Sequence, residues 1–177
     1  MLSRINPEPR RRRVIGIDPG LASTGWGIVE LVSSKIIYIA HGCFKTEASL
    51  PRSERLLQIY NEISIVLNMF EPNEAGMETL YFVKNITSGL PVAEARGVLS
   101  LAIAQRGLQL GEYSPKAIKQ AVVGTGAAEK AQVQEMVRLI LGLKAVPKPD
   151  HAADALGAAI CRVHDPLFDL RRPLHAG

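Results

Sequence analysis

Three short stretches of the chain carry acidic side chains in settings where they could do chemistry. Asp18 closes the β-branched run Val14-Ile15-Gly16-Ile17 and stands before Pro19-Gly20. Proline sterically holds the residue before it extended and the glycine lets the chain turn away, so a carboxylate is left at the carboxyl edge of a sheet. Glu78 lies in Gly76-Met77-Glu78-Thr79-Leu80, among mostly apolar neighbours, where an acid is seldom buried unless it is paired or binds a cation. The third stretch is Asp150-His151-Ala152-Ala153-Asp154. At about 100° per helical residue, His151 and Asp154 are about 60° apart and Asp150 and Asp154 about 40° apart, so all three can share one face. Carboxylates with one imidazole make an oxygen-rich set suited to Mg²⁺ or Mn²⁺, whereas zinc sites more often use thiolates and several histidines. Two such ions about 4 Å apart can hold the attacking and leaving oxygens of an in-line phosphodiester displacement. Each acid also has a structural alternative. Asp18 can cap a turn, Glu78 can face solvent from a strand, and Asp150, following Pro149, suits the N-cap of a helix.

The elements that must position these groups follow from periodicity and punctuation. Segments 14–18, 24–32 and 35–45 are rich in β-branched and aromatic residues and are broken by Pro19-Gly20 and Ser33-Ser34, which reads as three consecutive antiparallel strands. Beyond Pro51, Leu56, Leu57, Ile59, Tyr60, Ile63, Val66 and Leu67 keep helical spacing up to Pro72. A strand over about 74–80 follows. The stretch Ile86–Gln105 is alanine-rich and apolar around most of its circumference after Gly97, which suits a helix buried against a sheet or a partner chain. After a short strand at about 108–112, Ser114-Pro115 reads as an N-cap with proline at the first helical position, opening a helix to Val123. Glu129–Leu141 and Asp150–His164 are the last two expected helices. Three strands followed by alternating helix and strand give a mixed α/β sheet. One domain is expected over 13–164, with a basic N-terminal arm over 1–12 and a loosely ordered tail over 165–177.

Composition narrows the classes. A length of 177 residues with 47% hydrophobic content suits one compact domain with a real core. Net charge is +4, but setting aside Arg10, Arg11, Arg12 and Arg13 leaves the remaining basic residues matched by the 17 acidic ones. Global charge is thus a weak argument for nucleic acid, although the arginine run itself could add sequence-independent DNA affinity. Cys43 and Cys161 lie far apart without a CxxC spacing, which indicates neither a disulfide framework nor a zinc knuckle and fits a reducing cytoplasm. No apolar run reaches the roughly 18 residues of a membrane span, so no membrane association is expected. The GxxxxGK[ST] phosphate loop is missing, and the chain is too short for the two-domain actin-like ATPases that also begin with a strand and an Asp-Gly turn.

Taken together and in order, five segments resemble the RuvC family of Holliday junction resolvases. They are Gly16-Ile17-Asp18-Pro19-Gly20 with Thr24-Gly25-Trp26-Gly27, then Glu78-Thr79-Leu80-Tyr81-Phe82-Val83-Lys84-Asn85, Ala95-Arg96-Gly97-Val98, Gln120-Ala121-Val122-Val123-Gly124 with Ala128-Glu129-Lys130, and His151-Ala152-Ala153-Asp154-Ala155-Leu156. The resemblance implies a ribonuclease-H-like, mixed five-stranded sheet with helices on both faces. It also implies a homodimer that nicks four-way junction DNA symmetrically, dependence on Mg²⁺ or Mn²⁺ with two ions per site, and partnership with the RuvA and RuvB branch-migration proteins. By the family's motif Asp18, Glu78 and Asp154 become metal ligands, and His151 takes a position where many relatives carry aspartate. A neutral imidazole there moves the expected preference from Mg²⁺ toward Mn²⁺, while Asp150, one residue earlier, could restore the charge. Tyr81 and Phe82 become wedges that stack on bases unpaired at the junction. Lys84, Lys119 and Lys130 become phosphate contacts; Arg96 could touch DNA or the dimer partner. The competing reading is a nuclease of the same fold that acts on another nucleic acid, such as structured RNA.

Overall fold

The computed structural model of the protein describes residues 12–79 and 86–165. Tyr81, Phe82 and Lys84, the expected arm up to Arg11 and the tail beyond Asp165 lie outside the described residues. Three consecutive antiparallel strands, β1 (Arg12–Asp18), β2 (Ser23–Val32) and β3 (Lys35–Lys45), lead into helix α1 (Arg52–Phe70) and strand β4 (Glu74–Glu78). Helix α2 (Ile86–Gln105), strand β5 (Gln109–Tyr113) and helices α3 (Pro115–Val123), α4 (Lys130–Ile140) and α5 (Asp150–Val163) complete the chain. The five strands form one sheet in the order β3-β2-β1-β4-β5. β2 is antiparallel to β1 and β3, while β4 is parallel to β1 and β5. This mixed sheet is the ribonuclease-H-like arrangement that the resemblance implies.

Strand alternation sorts the core into two layers. Ile15, Ile17, Ile28, Ala75 and Met77 pack against Ile59, Ile63, Val66 and Leu67 of α1 and Ala95, Leu99, Ala102 and Ile103 of α2. On the opposite face, Val14 and Val29 meet Ile118 and Val122 of α3, Val133 and Val137 of α4, and Leu156 through Cys161 of α5. Helices therefore cover both faces, as expected.

The start of β1 and the end of β4, at Glu78 instead of about residue 80, differ most from the sequence reading. β1 begins at Arg12, inside the expected arm, because its guanidinium donates to both carboxylate oxygens of Glu74, at 2.8 and 3.0 Å. Arg13 donates to Glu30 at 2.8 Å and to the Phe70 carbonyl at 2.6 Å. Half of the arginine run is thus committed to the sheet edge through partners that are distant in sequence. At α3 the local signals hold: the Ser114 hydroxyl accepts from Ala117 N at 3.0 Å, Pro115 opens the helix, and Gly124 closes it at φ +86°.

α5 lies closer to the sheet than side chains would permit. A row of paired glycines crosses four strands, Gly27 to Gly16 to Gly76 to Gly111. A Cβ on Gly16 would sit 1.9 Å from the Ala155 carbonyl oxygen. The alanine face of α5 fills the groove this row leaves, with Ala152, Ala155, Ala158 and Ala159 all essentially inaccessible. Among the described residues, no helix is long and apolar enough to cross a membrane.

Candidate active site

Register and pleat bring the first two acids together. β1 and β4 run parallel with Ile17 opposite Met77, so Asp18 and Glu78 are the next residues along two neighbouring strands. Side chains alternate with period two. Asp18 therefore shares the α5 face with Val14 and Gly16, and Glu78 shares it with Glu74 and Gly76. Both carboxylates end their strands at the carboxyl edge, where the chain leaves the sheet.

The opening turn of α5 delivers the remaining candidates. It crosses β2 at Gly25, where a Cβ would lie 2.0 Å from the His151 carbonyl oxygen. That close approach lets His151 Nδ1 reach 2.7 Å from Asp18 Oδ2. Asp18, His151 and Asp154 each offer a ligand atom within 4.8 Å of the others. Glu78 borders this group: with Asp18, Thr79, Val92, Arg96 and Pro115 it lines one cleft of about 290 Å³, and with Asp154, Lys119 and Lys130 it lines a neighbouring cleft of about 270 Å³.

Electrostatics follow from this crowding. Burial pushes the Asp18 carboxyl above its ordinary value, against the hydrogen bond from His151, and the charge of Asp154 adds to the rise. Glu78 is pushed up to about 7, first by burial and then by the charges of Asp18 and Asp154, while Lys130 and Lys119 act in the opposite sense. Carboxylates crowded together in this way gain from a cation between them. The donor set therefore fits a hard divalent ion, with the one imidazole as its softer member.

Lys130 is placed by the start of α4, where the Glu129 backbone N–H donates to Gln132 Oε1 at 2.8 Å in a capping box. Its ammonium lies 3.1 Å from Asp154 Oδ2 and 3.6 Å from Asp150 Oδ2. Burial would lower the Lys130 pKa, but the hydrogen bond and charge of Asp154 and the charge of Asp150 carry it above its ordinary value. Asp150 is not the N-cap that the sequence suggested. Pro149 holds that position, and Asp150, the first helical residue, accepts from Lys148 Nζ at 3.1 Å. Its two oxygens instead face Lys148 and Lys130.

One residue left open by sequence reasoning has a clear place. Arg96 of α2 donates to the Glu78 backbone carbonyl and to the Glu112 carboxylate, fixing the end of β4. Its signal was available: within Ile86–Gln105 only Glu94 and Arg96 are charged, and a charge in an otherwise apolar helix needs a partner.

Comparison with known proteins shows which family the chain resembles. The family described as crossover junction endodeoxyribonuclease RuvC matches residues 14–162. A crossover junction endodeoxyribonuclease RuvC of Treponema denticola is 55% identical over 151 residues, covering 85% of each chain. The RuvC structure of Thermus thermophilus superposes with a TM-score of 0.78 at 34% identity, covering 85% of this chain and 93% of that one. The same protein in complex with a Holliday junction substrate gives 0.77 at 33%, covering 86% and 92%.

Proposed function

The chain belongs to the RuvC family of crossover junction endodeoxyribonucleases, and we propose that it resolves four-way DNA junctions by symmetric, divalent-cation-dependent nicking at Asp18, Glu78, His151 and Asp154. The observation that carries this reading is the meeting of the ends of β1 and β4 with the first turn of α5, which gathers three carboxylates and an imidazole at one sheet edge. Asp18, Glu78, His151 and Asp154 would hold Mg²⁺ or Mn²⁺, two ions per site, and the imidazole tilts the preference toward Mn²⁺. Bound there, divalent ions supply positive charge to the phosphoryl oxygens and acidify the attacking water.

The side chains provide the rest. In the hydrolysis a water oxygen bonds to phosphorus, the bridging P–O bond breaks, and the departing oxygen takes up a proton. His151 and Asp18 fix one another through their 2.7 Å contact, which keeps the Asp18 carboxylate in one orientation without a ligand to hold it. Lys119 and Lys130 line the cleft beside Glu78 and Asp154, where they would neutralise the phosphates on either side of the cut. Tyr81, Phe82 and Lys84 come three to six residues after Glu78 in sequence, and we assign them to the opened bases and backbone at the junction centre. A homodimer would supply the second nick; α2, with Leu90 and Leu101 half exposed and open space over Gly97, is the face we assign to it. RuvA and RuvB as partners, and a cytoplasmic setting, complete the proposal.

The test is cleavage of a synthetic four-way junction beside a linear duplex, an RNA–DNA hybrid and a structured RNA, in Mg²⁺ and in Mn²⁺, by wild type and Asp18→Asn. Paired nicks in the junction alone, lost in the variant, are expected. Cutting of RNA or of the hybrid in preference would overturn the substrate, and junction cutting that survives Asp18→Asn would overturn the residues.

A further inference from the structure

Lys130 stands where a cation would be drawn. Its ammonium touches Asp154, a proposed ligand, at 3.1 Å and is shared with Asp150 at 3.6 Å. Asp150 and Asp154 are four residues apart on α5, so their carboxylates are neighbours on one face. Asp150 lies outside the group of ligand atoms formed by Asp18, His151 and Asp154 and is half exposed, a poor position for a ligand and a good one for holding a mobile side chain. An ammonium and a divalent ion repel one another strongly at the same carboxylate. Lysine has a flexible four-carbon stem with three rotatable donors, so it can shift between two adjacent acceptors without moving its helix.

We propose that Lys130 is a cationic placeholder on Asp154 in the ion-free chain, and that Asp150 is a positioning residue that receives its ammonium when a divalent ion takes Asp154. The inference rests on the reading of Asp18, His151 and Asp154 as a cation site. It gives Asp150 a role that is neither helix cap nor ligand. With Asp150 as the second acceptor, Lys130 stays at the rim of the cleft it shares with Lys119 and Glu78, rather than drifting into solvent. Lys148 lies 3.1 Å from the other Asp150 oxygen, so each oxygen of that carboxylate faces one ammonium.

The experiment is Mn²⁺ titration of the full chain without DNA, with free Mn²⁺ followed by electron paramagnetic resonance. Lys130→Met should bind Mn²⁺ about tenfold more tightly than wild type, because no ammonium has to be displaced. Lys119→Met removes a charge from the same cleft without freeing Asp154, and should tighten binding much less. Asp150→Asn should weaken binding about tenfold in the wild-type background and less than about twofold in Lys130→Met. Equal weakening in both backgrounds would mean that Asp150 acts only as a distant charge, and would overturn the proposal. So would equal tightening by Lys119→Met and Lys130→Met, or no tightening by Lys130→Met. Asp18→Asn separates the two levels. If Mn²⁺ binding ignores it, the cation site itself is wrong; if binding is lost with it while Asp150 and Lys130 act independently, only the placeholder fails. All these side chains except Asp18 are substantially exposed or on the cleft surface, so folding is not at stake in the coupling measurement.

Discussion

Glu78 illustrates how much a single side chain can report. Its carboxyl is pushed up to about 7 from an ordinary 4.5 by burial and by the charges of Asp18 and Asp154. A carboxyl that holds its proton more tightly when folded contributes stability that is fully present below its unfolded value and is lost as pH rises through its folded value. The ion-free chain should therefore lose stability between about pH 4.5 and about pH 7 through this group, and Glu78→Gln should remove that part of the slope. A cation requires the ionised carboxylate, so Mn²⁺ affinity should rise over the same window. Calorimetric melting of both proteins, with and without Mn²⁺, checks the pair of statements; the same slope in Glu78→Gln as in wild type would refute them. The identity of Asp18, Glu78, His151 and Asp154 as candidates was legible in the sequence, because acids among apolar neighbours and helical spacing are local signals. The pairing of Lys130 with Asp154 was not. It joins residues 24 apart and depends on the angle at which α4 meets α5.

At the scale of elements, the contact between α5 and the sheet sets the geometry of the whole site. Gly25→Ala would place a Cβ 2.0 Å from the His151 carbonyl oxygen, and backbone cannot yield as a flexible side chain can. Overpacking of this kind typically costs about 1–3 kcal/mol, and here it also lifts the turn that carries His151 and Asp154. The expected outcome is a urea midpoint lowered by an amount in that range with a loss of junction cleavage far larger than the loss of folded protein. Cleavage that falls only in proportion to stability would show that the turn relaxes without disturbing its side chains. The helices and strands themselves were readable from periodicity, with bounds a few residues out at most. Their separation was not: alternation announces that Gly16 and Gly27 share a face, but only the assembled sheet reveals that a helix backbone rests on them. Arg12 and Arg13 went unread for the same reason, since their partners Glu74 and Glu30 come from other strands.

Across the whole molecule, a buried ionic cluster ties the first strand to the last helix. Glu74, nearly inaccessible, accepts from Arg12 of β1, and Arg162 of α5, also buried, lies 3.3 Å from its second oxygen. Arg162 further reaches Tyr113 and Asp165. Glu74→Ala would take away the carboxylate that the buried Arg162 and the partly buried Arg12 share, and removing one partner of a buried ion pair costs about 3–5 kcal/mol. A fall of that size in the unfolding free energy from urea titration is expected, with the site at the opposite strand ends left chemically intact. A change under about 1 kcal/mol would mean that the cluster is already well solvated. The same union of first strand and last helix has a consequence in time. Asp18 and His151 are 133 residues apart, and contacts that far apart in sequence form slowly. A ribosome makes the Asp18 strand well before α5, so the grouping of Asp18 with His151 and Asp154 has to wait until α5 has emerged and settled into the glycine furrow.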